Sequence, residues 1–133
     1  MRLINFKISE FLKSDTATKN NIDNIPDFNF LDNILDLIIN CMQPIRNLFN
    51  LPVIITSGFR CQKLNKIVGG SANSQHLVGC AADFKIKSLT PDKIIQKIKN
   101  SNIEYDQLIN EYDKWVHISY RKDKNRKQIL KIK

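Results

Sequence analysis

The stretch SQHLVGCAADF, from Ser74 to Phe84, constrains the fold more than any other part of the sequence. It holds His76, one of two histidines in the chain, seven residues before Asp83. On one straight helix these two side chains would lie ~10 Å apart, and in one strand the odd spacing would point them to opposite faces. They can therefore act together only if the chain bends between them. Gly79 offers a place for that bend, because glycine adopts backbone angles that other residues avoid.

The rest of the sequence indicates a mixture of helices and strands. Helices are expected where apolar residues recur at helical spacing or capping residues flank a short segment, and strands where β-branched residues cluster. The expected helices are ISEFLKSDTA, residues 29–49 with a kink or division at Pro44, CQKLNKIVGG and TPDKIIQKIKN. The expected strands are PVIITSGFR, AADFKIK, YDQLINE and WVHISY. This order predicts an α+β fold in which a small antiparallel sheet is flanked by helices.

Length and composition indicate one ordinary globular domain, residues 1–133. Apolar residues make up 42% of the chain and charged residues 26%, as is usual for soluble proteins. No apolar run is long enough to span a membrane, and the first residues do not supply the apolar part of a signal peptide. We therefore expect a protein made in the cytoplasm. The three cysteines are expected to be free thiols rather than a disulfide framework.

The positive charge is concentrated in a basic C-terminal segment, residues 121–133. This segment holds seven Lys or Arg residues and one Asp, so it carries +6 of the net charge of +8 and leaves +2 for the remainder. Such a segment could bind nucleic acid or an anionic polymer of a cell wall. A nucleic-acid role would require an affinity that falls with salt and is lost without residues 121–133. We favour a solvated end, and expect no nucleic-acid partner.

A shared metal site would explain the bent segment, provided that a third ligand comes from elsewhere. The other histidine is His117, in WVHISY. Two histidines and one carboxylate leave a fourth tetrahedral position open, which is the ligand set of a catalytic rather than a structural zinc. Taken singly, each residue has a plainer interpretation. His117 could be an ordinary strand histidine, Asp83 a turn residue, and Arg60 part of a surface ion pair.

A zinc hydrolase also needs a general base, and Glu111 lies six residues before His117, across the hairpin NEYDKWVH. A three-residue connection would pair Glu111 with Trp115 and put Glu111 and His117 on one face of the sheet. A two-residue connection would put them on opposite faces. Asp113 would then be the alternative base.

The sequence contains the segments ITSGFR, LNKIVGGSANSQHLVGCAADF and DQLINEYDKWVHISY, in that order. Together they resemble the small, single-domain members of the zinc D-alanyl-D-alanine carboxypeptidase family of metallopeptidases. The resemblance implies a fold shared with the hedgehog signalling domain, and Zn2+ held by His76, Asp83 and His117. It also favours Glu111 over Asp113 as the base.

We expect a substrate-binding set formed by Arg60, Ser74 and Trp115. Arg60 and Ser74 fall where the family binds the substrate carboxylate. Trp115 stands where some relatives have another histidine, two residues before the last zinc ligand. This is a departure from the family pattern, and it would leave the stabilisation of the transition state to zinc and Arg60.

The expected function is therefore zinc-dependent hydrolysis of peptidoglycan stem peptides. The enzyme would be a carboxypeptidase or an endolysin-like endopeptidase, monomeric, of phage or phage-derived type, and would act on the bacterial cell wall. The alternative is a non-catalytic zinc-binding domain of the same fold that binds cell-wall peptide or a protein partner.

Overall fold

The computed structural model describes residues 5–133. The helices are α1 (Asp15–Lys19), α2 (Phe28–Leu37), α3 (Gln43–Phe49), α4 (Gln62–Ile67) and α5 (Pro91–Lys99). The strands are β1 (Ile54–Ser57), β2 (Ala81–Lys85), β3 (Gln107–Glu111), β4 (Trp115–Ser119) and β5 (Gln128–Ile132). Short 3-10 turns cover Ile8–Phe11 and Gln75–Val78. Within residues 5–133, no helix has the length and apolar character needed to cross a bilayer.

The strands form one open sheet in the order β1-β2-β4-β3-β5. Neighbouring strands are antiparallel except β3 and β5, which are parallel. The expected α+β class with a small, mostly antiparallel sheet is confirmed. The sequence did not predict β5, since all five of its residues are exposed and no buried alternation marks them as a strand.

The two faces of the sheet have different surroundings, because side chains alternate along each strand. One face carries Phe84, Val116 and Ile118, which are fully buried against apolar side chains of α2, α3 and α5. The opposite face carries Asp83 and His117. The core thus holds the sheet from one side and leaves the polar residues of the other side to face a cleft.

The long helix expected over residues 29–49 is present but divided. A π-helical turn, Ile38–Met42, separates α2 from α3, and Pro44 lies in the first turn of α3. Proline has no backbone N–H and its ring crowds the preceding turn, and a wider turn relieves that crowding. The division expected at Pro44 therefore falls just before it.

Two further expectations concern the first segment and the cysteines. ISEFLKSDTA forms a 3-10 turn and then α1 instead of one helix, and the Ser14 hydroxyl caps α1 by accepting a hydrogen bond from the Ala17 N–H. The three cysteines are free thiols, as expected. Cys41 is buried, and that burial raises the pKa of its thiol.

Candidate metal centre

Asp83 and His117 meet because β2 and β4 are adjacent antiparallel strands that pair them directly. Residues opposite each other on neighbouring strands point to the same face. His117 Nδ1 lies 2.9 Å from Asp83 Oδ1, and both residues are buried. The sheet register alone thus brings together two side chains that are 34 residues apart in the sequence.

His76 reaches the same carboxylate from the 3-10 turn before β2. The turn ends at Gly79, which has a φ of +79°, and the chain then reverses into β2. A Cβ on Gly79 would also collide with the backbone carbonyl of Phe30. His76 Nε2 lies 3.2 Å from Asp83 Oδ1. The bend at Gly79 therefore lets His76 and Asp83 meet despite their spacing.

A backbone carbonyl fixes the His76 ring. His76 Nδ1 lies 2.7 Å from the carbonyl oxygen of Gly58. A carbonyl can only accept, so Nδ1 donates to it, and Nε2 is left directed at Asp83. Gly58 has no room for a side chain, because a Cβ there would collide with the backbone of Phe11. This hydrogen bond is the kind that orients a metal-binding histidine.

The three side chains fit a zinc ion in donor type and spacing. One ligand atom from each of His76, Asp83 and His117 lies within 4.8 Å of the other two. Donors bound to zinc at about 2.0–2.1 Å in a tetrahedron stand roughly 3.3 Å apart. The distances of 2.9 and 3.2 Å to Asp83 Oδ1 are close to that value. The cluster could therefore hold a zinc ion with little rearrangement.

Neighbouring side chains keep Asp83 in its charged form. Burial by itself raises the pKa of this carboxyl, but hydrogen bonds from His117 and His76 outweigh burial and hold it well below its usual range. Arg60 Nη2 lies 3.5 Å from the other oxygen, Asp83 Oδ2. Asp83 therefore remains a carboxylate, the form that a metal ligand requires.

Glu111 lies beside the cluster because the β3–β4 hairpin has the three-residue connection. Glu111 pairs with Trp115, and Ile109 pairs with His117, so Glu111 and His117 share one face. Glu111 Oε1 accepts a hydrogen bond from Trp115 Nε1 at 3.0 Å and lies 3.9 Å from His117 Nδ1.

Asp113, the alternative base, belongs to the hairpin turn. Its carboxylate accepts a hydrogen bond from Asn110 and pairs with Lys131. Asp113 does not line the cleft that contains the metal cluster, whereas Glu111 does. Of the two carboxylates, Glu111 is therefore the one that lies beside the metal cluster.

A comparison with protein-family models decides the family. The model described as Peptidase M15 matches residues 4–119. The chain belongs to the Peptidase M15 family. M15 peptidases are zinc-dependent enzymes, in agreement with the cluster of two histidines and an aspartate. No curated protein was found to match the chain. The suspected family is thus confirmed, and with it the assignment of the chain to the metallopeptidases.

In this M15 peptidase the cluster opens into a cleft of about 770 Å³. Arg60, Ser74 and Trp115 all line it, as do the proposed ligands. Ser74 caps the 3-10 turn, since its hydroxyl accepts a hydrogen bond from the His76 N–H at 3.2 Å. The three proposed ligands, Glu111 and the three proposed substrate-binding residues therefore line one cavity, whereas Asp113 does not.

Sequence reasoning missed one part of this cleft. Arg121, Arg126 and Ile132 from the C-terminal segment also line it, together with Tyr112 of the hairpin turn. The run of basic residues is visible in the sequence, where it favours a solvated end. The cluster of Ile129, Leu130 and Ile132 was the available sign of a strand.

Proposed function

We propose that this chain is a zinc-dependent peptidase that hydrolyses peptidoglycan stem peptides. The observation that carries the proposal is the position of Glu111 next to the buried His76, Asp83 and His117 cluster, in one cleft of an M15 family member. A metal ligand set with an adjacent carboxylate is what hydrolysis by activated water requires.

The side chains have separate tasks in this proposal. His76 Nε2, Asp83 Oδ1 and His117 Nδ1 would hold the ion. Zinc, when bound, supplies a Lewis acid that activates water near neutral pH and polarises a carbonyl. Glu111 accepts the proton of the attacking water and passes it to the nitrogen of the leaving amine. The indole N–H of Trp115 orients Glu111 by holding its Oε1, which leaves Oε2 for the proton.

Arg60 and Ser74 are proposed to bind the substrate near the bond that is cut. The Arg60 guanidinium is held by hydrogen bonds to Ser57 Oγ at 3.2 Å and Asn65 Oδ1 at 3.3 Å. These contacts fix its orientation at the edge of the cleft. A fixed guanidinium can bind a carboxylate of the peptide or stabilise charge that develops on the scissile carbonyl.

The biological setting is part of the same proposal. We infer a monomeric lytic enzyme of phage or phage-derived type that acts on the bacterial wall. The resemblance of the sequence to D-alanyl-D-alanine carboxypeptidases supports a wall peptide as substrate. The basic segment, with +6 of the net charge of +8, favours association with an anionic wall surface.

The test combines metal analysis with digestion of purified peptidoglycan. We expect about one zinc per chain, and release of fragments that stops with a chelator and resumes when zinc is restored. Glu111→Gln should lower the rate by about 10²–10⁴-fold without changing the zinc content, while the control Asp113→Asn should digest normally. Undiminished digestion by Glu111→Gln, or a chain that binds no zinc, would refute the mechanism. Binding of wall fragments without hydrolysis would instead assign the non-catalytic role.

A further inference from the structure

The C-terminal segment is part of the folded domain, although it lies beyond the residues 4–119 that match the family. β5 pairs with β3 along its whole length, from Gln107 with Gln128 to Glu111 with Ile132. The Tyr112 N–H also donates to the Ile132 carbonyl at 2.8 Å. The segment therefore extends the sheet next to the metal cluster.

A buried carboxylate anchors the start of this segment. Asp106 is fully buried and accepts hydrogen bonds from Arg126 Nε and Nη2, each at 2.9 Å, and from Gln75 Nε2 at 2.8 Å. The bonds from Arg126, ahead of those from Gln75, lower the pKa of Asp106 to about 2. Gln75 immediately precedes His76, so the anchor ties the segment to the loop that carries a proposed metal ligand.

Three guanidinium groups line the cleft, and two of them have a carboxylate partner. Arg60 is paired with Asp83 and Arg126 with Asp106. The third, Arg121, is exposed and lines the cleft, and among residues 5–133 no carboxylate lies within ion-pair distance of it. Its backbone is held by a hydrogen bond from the Arg121 N–H to Asn125 Oδ1 at 2.8 Å. The cleft thus contains a cation whose backbone is held in place and whose guanidinium has no carboxylate partner among residues 5–133.

We propose that Arg121 binds a carboxylate of the peptide substrate that is not at the bond being cut. A planar guanidinium recognises a carboxylate through two parallel hydrogen bonds, with more geometric specificity than a lysine provides. The metal cluster defines where the scissile bond would lie, and Arg121 lies on the same cleft in a segment outside the family match. The substrate class is therefore an acidic peptide. The identity of that peptide rests on the proposed function, whereas the carboxylate site does not.

The test measures peptide binding from the fluorescence of Trp115. This residue is the one tryptophan of the sequence, and it lines the cleft. The zinc-loaded full chain carries Glu111→Gln, so that bound peptide is not consumed. Two peptides are titrated, one with a single free side-chain carboxylate away from the scissile bond and its twin with that carboxylate amidated. Arg121→Gln is compared with Lys122→Gln, which removes the same charge from the next residue, outside the residues that line the cleft.

Arg121→Gln should raise the Kd of the acidic peptide by about tenfold, as expected for a charge-assisted hydrogen bond at a partly exposed site. It should change the Kd of the amidated twin by less than about twofold, and Lys122→Gln should have a similarly small effect on both. If Arg121→Gln and Lys122→Gln raised the Kd of the acidic peptide equally, the effect would come from net charge alone and the proposal would fail. Equal losses for the two peptides, or no preference of the parent chain for the acidic peptide, would overturn the proposal.

This outcome is separable from that of the proposed function. If the chain with Glu111 intact hydrolyses neither peptide but Arg121→Gln selectively weakens binding of the acidic one, the carboxylate site stands and the peptidase proposal fails. If hydrolysis is sensitive to chelator but Arg121→Gln binds both peptides as the parent does, the peptidase proposal stands and the carboxylate site fails.

Discussion

Replacing Asp106 by Asn should destabilise the protein in a way that depends on pH. The change keeps the size of the side chain but removes its charge. It also replaces one of the two oxygens that accept hydrogen bonds from Arg126 and Gln75 by an amide nitrogen, which can only donate. The contacts of the C-terminal segment with the metal-ligand loop depend on this one carboxylate. Asp106→Asn therefore tests how firmly that segment is attached.

The magnitude follows from the pKa of Asp106, which is lowered from 3.8 to about 2. A carboxyl with a lowered pKa in the folded state stabilises the fold above its unfolded pKa, and that stability is lost as the pH falls towards the folded value. The full shift corresponds to about 2.5 kcal/mol at neutral pH. Because the Arg126 side chain is 53% exposed, solvent screening reduces the expected loss to about 1.5 kcal/mol. About half of it should remain at pH 3.

Urea unfolding of the metal-free chain, followed by far-UV circular dichroism at pH 7 and pH 3, measures both values. A chelator in all samples keeps zinc binding from contributing to the measured free energy of unfolding. Glu104→Gln is the control, since Glu104 is 58% exposed and its ion pair with Lys127 lies on the surface. That control should change stability by less than about 0.5 kcal/mol. A loss for Asp106→Asn that is equal at both pH values, or no loss at pH 7, would refute the reasoning.

Two further changes test the bend and the metal site. Gly79→Ala should lower the free energy of unfolding by about 1–3 kcal/mol in thermal unfolding, since its φ is +79° and a Cβ would meet backbone. Gly69→Ala, with a φ of +75° but open space, should lower it by less. Equal losses would exclude a steric contribution at Gly79. Zinc should raise the unfolding temperature of the wild type and not that of Asp83→Ala, as measured by differential scanning calorimetry; the same rise in both would exclude Asp83 as a ligand.

The elements that the sequence predicted well are those with local signals. Thr90 and Pro91 mark the start of α5, and the Thr90 hydroxyl accepts a hydrogen bond from the Lys93 N–H at 3.3 Å. Likewise the hairpin of β3 and β4 is encoded within residues 107–119, so its register needs no distant partner. Whether Glu111 and His117 lie on the same face of the sheet therefore depends only on the length of the turn.

The parts that the sequence did not predict depend on distant or exposed contacts. β5 is held by β3 and by the pairing of Asp106 with Arg126, 20 residues away. Its exposed residues carry no burial pattern, and Lys131 resembles a lysine of a solvated tail. The π-helical turn before Pro44 reflects how the helix accommodates a proline, which periodicity cannot indicate.

Trp115 limits which residue beside His117 can accept a proton. A histidine at this position, as in some relatives, could exchange a proton, whereas the indole N–H can only donate a hydrogen bond. Trp115 Nε1 donates to Glu111 Oε1 at 3.0 Å, so it orients the carboxylate without competing for a proton. Of these two residues beside His117, only Glu111 can then accept the proton of water. The proton transfer in the proposed mechanism therefore depends on a single carboxylate, which is why Glu111→Gln separates a peptidase from a domain that merely binds zinc.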